Sequence, residues 1–173
     1  MIKDILVNLS YGTSQDGVSN YALSVAETFG AHIVGAAFAY PVMASGVGLG
    51  LPTNYIRVQQ AEAQERAESV AAAFDEATRR TVVSAETRRI EAGIGDVPTQ
   101  FAHIARRFDL SVIGQFERDH PTTNIVIEAA LFESGRPVLI VPFIQKDRLK
   151  LDHVMVCWDG SRAATRAIAE TLP

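Results

Sequence analysis

Ile33-Val34-Gly35-Ala36-Ala37-Phe38-Ala39 is a run without a single polar side chain. It reads as a strand that is apolar on both faces, and such a strand belongs in a sheet covered by helices on either side. The sequence upstream agrees. Val18, Tyr21, Ala22, Val25, Ala26 and Phe29 recur at three- and four-residue spacing, the buried stripe of a helix, and Gly30 stands where a left-handed C-terminal cap belongs. Ahead of that helix, Ile5-Leu6-Val7-Asn8-Leu9 is a short buried strand that ends in the loop Ser10-Tyr11-Gly12.

Downstream, residues 40–54 form a loop rich in glycine and proline, and a long helix over about 55–80 buries Ala63, Ala67, Val70, Phe74 and Ala77. Residues 84–91 are more polar, as an edge strand would be. Gly95-Asp96-Val97-Pro98 starts the next helix, with Asp96 expected to accept first-turn N–H groups and Pro98 tolerated that early. Val97, Phe101, Ile104, Ala105 and Phe108 are its buried stripe. Leu110-Ser111-Val112-Ile113-Gly114 is the fourth strand, a helix covers about 122–134, and Pro137-Val138-Leu139-Ile140-Val141 is the fifth strand.

Strands alternating with helices of this length imply right-handed crossovers. The expected fold is therefore an α/β domain, a doubly wound five-stranded parallel sheet with helices on both faces. In that architecture ligands sit beyond the carboxyl ends of the strands, where strand order reverses. The loops at 10–16, 40–54 and 114–123 are the ones to inspect.

Composition narrows the function. The chain has 173 residues, 47% hydrophobic and 21% charged, with a net charge of −4. That suits one domain of roughly 100–150 residues plus a remainder. A mildly acidic chain without Lys/Arg clusters is a poor nucleic-acid binder. No apolar run approaches the ~18 residues a membrane span requires, and Met1-Ile2-Lys3-Asp4 opens no signal peptide. The expected location is cytoplasmic. A single cysteine, Cys157, excludes an internal disulfide and a cysteine-based zinc cage, and it reads as a small buried residue of a strand. The four histidines, His32, His103, His120 and His153, lack metal spacing, so no metal site is expected. Only His120, beside Glu117, Arg118 and Asp119, falls near the ligand end. No Gly-x-Ser-x-Gly elbow is present. Gly46-Val47-Gly48-Leu49-Gly50 lacks the Lys-Ser/Thr of a phosphate loop and reads as a flexible or ligand-covering loop.

After Pro142 comes the charged stretch Gln145-Lys146-Asp147-Arg148-Leu149-Lys150, and then the pattern restarts. Val154-Met155-Val156-Cys157-Trp158 matches the first strand, and Ala169-Glu170-Thr171-Leu172 echoes Ala26-Glu27-Thr28-Phe29. The expected organisation is a domain at 1–143, a linker at 144–152, and the first strand and helix of a second, truncated copy at 153–173. Because a lone βα unit cannot bury its own faces, the parent protein is expected to continue beyond Pro173. Trp158 reads as a core or domain-interface aromatic, and Asp159-Gly160-Ser161 as a turn and helix cap.

These segments, in this order, resemble the universal stress protein family. The resemblance rests on Ile5-Leu6-Val7, the Ala22 to Gly30 helix leading into His32-Ile33-Val34, Gly95-Asp96-Val97-Pro98 and Phe108-Asp109-Leu110-Ser111-Val112-Ile113-Gly114. Gly135-Arg136-Pro137-Val138-Leu139-Ile140-Val141-Pro142 and the restart at Val154 to Ser161 complete it. The resemblance implies an adenine-nucleotide α-hydrolase-like fold, pairing through the last strand, and frequent tandem domains, with ATP bound by some members only. ATP binders carry Gly-x2-Gly-x9-Gly-Ser/Thr after the fourth strand, so that backbone N–H groups can reach phosphates. Here Gly114 fits the first position and Glu117 replaces the second glycine. The last pair falls on Ile127-Glu128 or, anchored on Pro137, on Asn124-Ile125. Ser10 stands where the family has an aspartate, whereas Asp159 retains it in the second copy.

The first domain is therefore expected to be a degenerate ATP site without a cofactor, with ATP possible in the complete second copy. The expected function is a non-catalytic stress-response module acting as a homodimer or by intramolecular domain pairing through strand 137–142. Alternatives are weak ATP hydrolysis or AMP transfer, and a small-molecule module closed by the 40–54 loop. By position at strand ends, a ligand would meet Ser10, Gly12, Tyr40, Gly114, Gln115 and Asn124.

Overall fold

The structure is a computed structural model, and it describes residues 2–9, 15–41, 53–93, 95–115 and 121–171. Ser10, Gly12, the glycine-rich 46–50 stretch and the Glu117 to His120 loop lie outside the described residues.

The elements expected of residues 1–143, and the helix expected near the end of the chain, are present. They are β1 (Asp4–Leu9), α1 (Gln15–Phe29), β2 (His32–Ala39), α2 (Thr53–Arg79), β3 (Ala85–Glu91), α3 (Val97–Ala105), β4 (Leu110–Gly114), α4 (Pro121–Glu133), β5 (Val138–Val141) and α5 (Arg162–Thr171). The five strands form one sheet in the order β3-β2-β1-β4-β5. Every pairing in it is parallel. Strand order reverses between β1 and β4, which places a crevice at their carboxyl ends.

Alternation along the strands divides the core in two. Ile5, Val7 and Leu9 of β1, with Val112 of β4, face α1 and α2, where Val18, Ala22, Val25, Val70 and Phe74 complete the layer. Leu6, Val34, Phe38 and Ile113 face α3 and α4, against Phe101, Ala105, Val126 and Ala130. The glycine within β2 has a packing reason. A Cβ on Gly35 would lie 2.8 Å from Leu9 Cδ1 and from two ring atoms of Phe74. Its absence lets the Phe74 ring, wholly buried, rest on the sheet. Gly30 has φ +61°, the left-handed cap read from the sequence.

The edges differ in chemistry. β3 carries Arg88 paired with Glu86 and Arg89 paired with both Glu68 and Asp75. An edge strand armoured with charge resists pairing with another chain. At the other edge, β5 pairs among the described residues only with β4, and Ile140, Phe143 and Ile144 are exposed beside it.

After β5 the chain runs along α1. A Cβ on Gly17 would lie 3.0 Å from the Gln145 carbonyl oxygen, Leu149 N–H donates to Ser24 Oγ (2.9 Å), and Arg148 pairs with Glu27. Leu149 packs on the core beneath.

Three local expectations need correction. Asp96 makes no side-chain cap bond. Its carboxylate is folded against Gly93, and α3 is entered instead through Pro98 and the Asp96 carbonyl, which accepts Gln100 N–H (2.9 Å). Residues 154–158 form no strand, and Cys157 is exposed rather than buried. A strand exists only by pairing, and among the described residues this segment has no strand beside it. The helix expected after it is present as α5. Gly160 takes φ +78°, Asp159 Oδ1 accepts Ser161 N–H (2.8 Å), and Ser161 Oγ accepts Ala164 N–H (3.0 Å). The turn and cap read from the sequence are both there.

Candidate functional site

The crevice is bounded by the carboxyl ends of β1, β2 and β4 and by the first turns of α4. Of the residues expected there, Tyr40 follows β2 directly and packs, half-buried, against the α3/α4 core. Gly114 ends β4, where a Cβ would lie 3.0 Å from Val18 Cγ2. This glycine therefore admits the start of α1 to the sheet. Gln115 has an exposed side chain, and its N–H donates to the Val141 carbonyl (2.7 Å), extending the ladder with β5. Asn124 is exposed, and its amide donates to Glu128 Oε1 (3.3 Å) on the outer face of α4.

Two residues absent from the expected set are better placed. Asn8 is only 6% exposed and stands beside Ala36 at the end of β1. By strand alternation it lies on the α3/α4 face. Thr123 is 7% exposed, one turn above Val126, Ile127 and Ala130 on the buried stripe of α4. The spacing 123–126–127–130 was available in the sequence and distinguishes Thr123, turned inward, from its outward neighbour Asn124. A polar residue inside an apolar strand run is the corresponding signal for Asn8.

Among the described residues charge is concentrated elsewhere. The Arg89 hydrogen bond holds the Glu68 carboxyl below the usual carboxylate range, and Arg88 does the same to Glu86; both pairs lie on the β3 edge. At the amino end of the sheet, Asp109 accepts N–H groups from Lys3 (2.8 Å) and Asp4 (3.1 Å). These bonds, the Lys3 one foremost, lower its carboxyl. No group of three or more His, Cys, Asp or Glu among the described residues could hold a metal. Among the described residues the crevice thus offers a carboxamide, a hydroxyl and a phenol, a neutral set able to donate and accept hydrogen bonds to a small polar ligand.

No family model matches the sequence, and no curated protein matches it. Solved structures do. A universal stress protein family member from Burkholderia pseudomallei superposes with a TM-score of 0.59 at 22% identity, covering 82% of this chain and 96% of that one. The chain has the universal stress protein fold. A universal stress protein in complex with cAMP matches with a TM-score of 0.56 at 15% identity, over 81% of this chain and 97% of that one. The universal stress protein from Archaeoglobus fulgidus in complex with dAMP gives 0.53 at 16% identity, over 82% and 99%. The resemblance carried by the ordered segments of the sequence holds at the level of fold. No helix among the described residues is long and apolar enough to cross a membrane.

Proposed function

We propose that the chain is a non-catalytic regulatory module of the stress response, acting in the cytoplasm by pairing with a second copy or a second domain through β5. The observation that carries this reading is the asymmetry of the sheet edges. β3 is covered with ion pairs, whereas β5 presents an unpaired side flanked by exposed Ile140 (39%), Phe143 (55%) and Ile144 (73%). An open edge bordered by apolar side chains is a template for another strand. In this reading residues 1–143 are the first domain and residues 153–173 the opening of a second unit, in which Val154, Met155, Val156 and Trp158 are exposed. Sedimentation velocity tests the pairing. The parent chain is expected to sediment as a pair, and Ile140→Lys with Phe143→Lys as a single copy; equal sedimentation of both proteins refutes it.

A second reading is favoured by the ligands of the cAMP- and dAMP-bound neighbours together with the buried Asn8 and Thr123. In it, the crevice binds an adenosine monophosphate, which needs hydrogen bonds to a base and one phosphate but not the glycine array for a triphosphate. Mass spectrometry of small molecules released on denaturing the purified protein separates the two. A nucleotide near equal molar ratio supports the second reading, and its absence leaves a cofactor-free first domain. Turnover of ATP with Mg²⁺ would instead favour hydrolysis or AMP transfer.

A further inference from the structure

Two buried side-chain atoms among the described residues meet no hydrogen-bond partner: Ser111 Oγ and Arg66 Nη2. The first is a neutral hydroxyl inside β4. The second belongs to a cation, and a guanidinium nitrogen sealed from water without an acceptor has lost its hydration and gained nothing in return.

The place of Arg66 follows from α2. Ala63, Ala67, Val70 and Phe74 form the buried face of this helix. Gln64 donates to Glu91 (3.2 Å) and Glu68 accepts from Arg89 (2.6 Å), which marks the flank over β3. Helical spacing puts Arg66 on the opposite flank, the one turned toward α1, with which α2 shares its core. The same two contacts set its height. Standing between residues level with Glu91 and Arg89, Arg66 is level with Ile90 and that residue's register partner Phe38, at the carboxyl end of the sheet. Val18, in the first turns of α1, meets Gly114 at that same end. Glu62 lies four residues before Arg66, at the spacing of a favourable helical ion pair, yet its carboxylate is turned to Gln59 Nε2 (3.2 Å).

We propose that Arg66 anchors an oxyanion site between α1 and α2 at the carboxyl end of the sheet. The site takes the carboxylate or phosphate group of a small ligand in the fork of the guanidinium. Arg66 as a residue is half-buried, at the border of the core rather than within it. The dipole of α1 adds partial positive charge at the same end of the sheet. This inference is independent of the adenosine reading, because its probes carry no base.

The experiment uses the whole chain and two probes, sodium phosphate and sodium acetate, each against sodium chloride at matched ionic strength. Thermal midpoints and calorimetric titrations are compared for the parent, Arg66→Met and Arg66→Lys. At least one oxyanion is expected to raise the parent's midpoint above that in chloride. Arg66→Met is expected to bind it about tenfold or more weakly, while being as stable as the parent in chloride because no buried cation is left unpaired. Arg66→Lys keeps the charge, loses the fork, and should fall between them. A response to phosphate alone assigns a phosphoryl ligand; a response to both assigns any oxyanion. Equal responses in parent and Arg66→Met, or none in the parent, overturn the proposal. Should Arg66→Met fail to fold, the Arg66 Nε–H resonance of the parent decides, since it must move on phosphate titration and an unmoved resonance refutes the site.

Discussion

Replacing Gly35 by alanine tests the packing of α2 on the sheet with one methyl group. The glycine φ is not among the positive ones, so alanine meets no backbone strain. The new Cβ would stand 2.8 Å from Leu9 Cδ1 and from Phe74 Cδ1 and Cε1, about 0.7 Å inside ordinary carbon contact. Phe74 is wholly buried and must leave its rotamer or lift α2. Leu9 is buried as well, at 4% exposure. Overpacking of this kind costs about 1–3 kcal/mol, offset by about 0.4–1 kcal/mol from a less flexible unfolded chain. The expected net loss is about 1–2 kcal/mol, a fall in thermal midpoint of about 2–8 °C. Urea unfolding followed by circular dichroism should show a lower midpoint with unchanged slope. Phe74→Leu opens the space, so Gly35→Ala with Phe74→Leu should lose at least ~0.5 kcal/mol less than the two changes summed. A stabilised Gly35→Ala, or strict additivity with Phe74→Leu, would refute the reasoning.

Three further outcomes are expected. Asp109→Ala should cost about 2 kcal/mol at neutral pH by stripping two N–H donors of a charged acceptor. Because the fold lowers this carboxyl from its ordinary 3.8, its stabilisation is complete above that value and fades as pH falls through the folded one. Stability of the parent and Asp109→Ala should converge in acid, and parallel pH curves would count against the assignment. For the crevice, Thr123→Val should weaken adenosine monophosphate binding about tenfold in calorimetry, with Asn124→Ala unchanged; the reverse order would return the site to Asn124. Trp158, the one tryptophan, is 57% exposed. Its fluorescence should match indole in water and hardly shift in urea, and a blue-shifted native spectrum would contradict that exposure.

The layered architecture was legible because it depends on what recurs. Apolar runs at 5–9, 33–39 and 110–114 and the stripes between them specify which residues must be covered, and for a parallel sheet this nearly dictates the rest. Residue direction at the crevice was less accessible. Asn124 and Thr123 are neighbours at the same strand end, and only the phase of the helix tells which turns inward. In the sequence Asn8 is one residue of a short buried strand, and its value depends on standing beside the strand-order reversal. Nothing in the sequence sets Arg66 apart from the other charges of its helix, since whether a guanidinium finds an acceptor is decided by other elements. Cys157 shows the opposite failure, for an apolar pattern announces a wish to be buried and says nothing of whether a partner strand is at hand.

The segment running along α1 has a mechanical meaning. A tether that leaves a domain directly from a strand end can swing through a wide cone, and the effective concentration of whatever it carries falls with its length. Here the chain is pinned at Gln145 near the start of α1, and again at Arg148 and Leu149 two turns further on. The last of these described contacts is at residue 149, toward the carboxyl end of α1 and so toward the amino end of the sheet, away from the crevice. Residues 153–171 are consequently on a short leash with a fixed point of departure. A displacement of α1 at its crevice end would be delivered along the helix to that point as a change in aim rather than lost in slack.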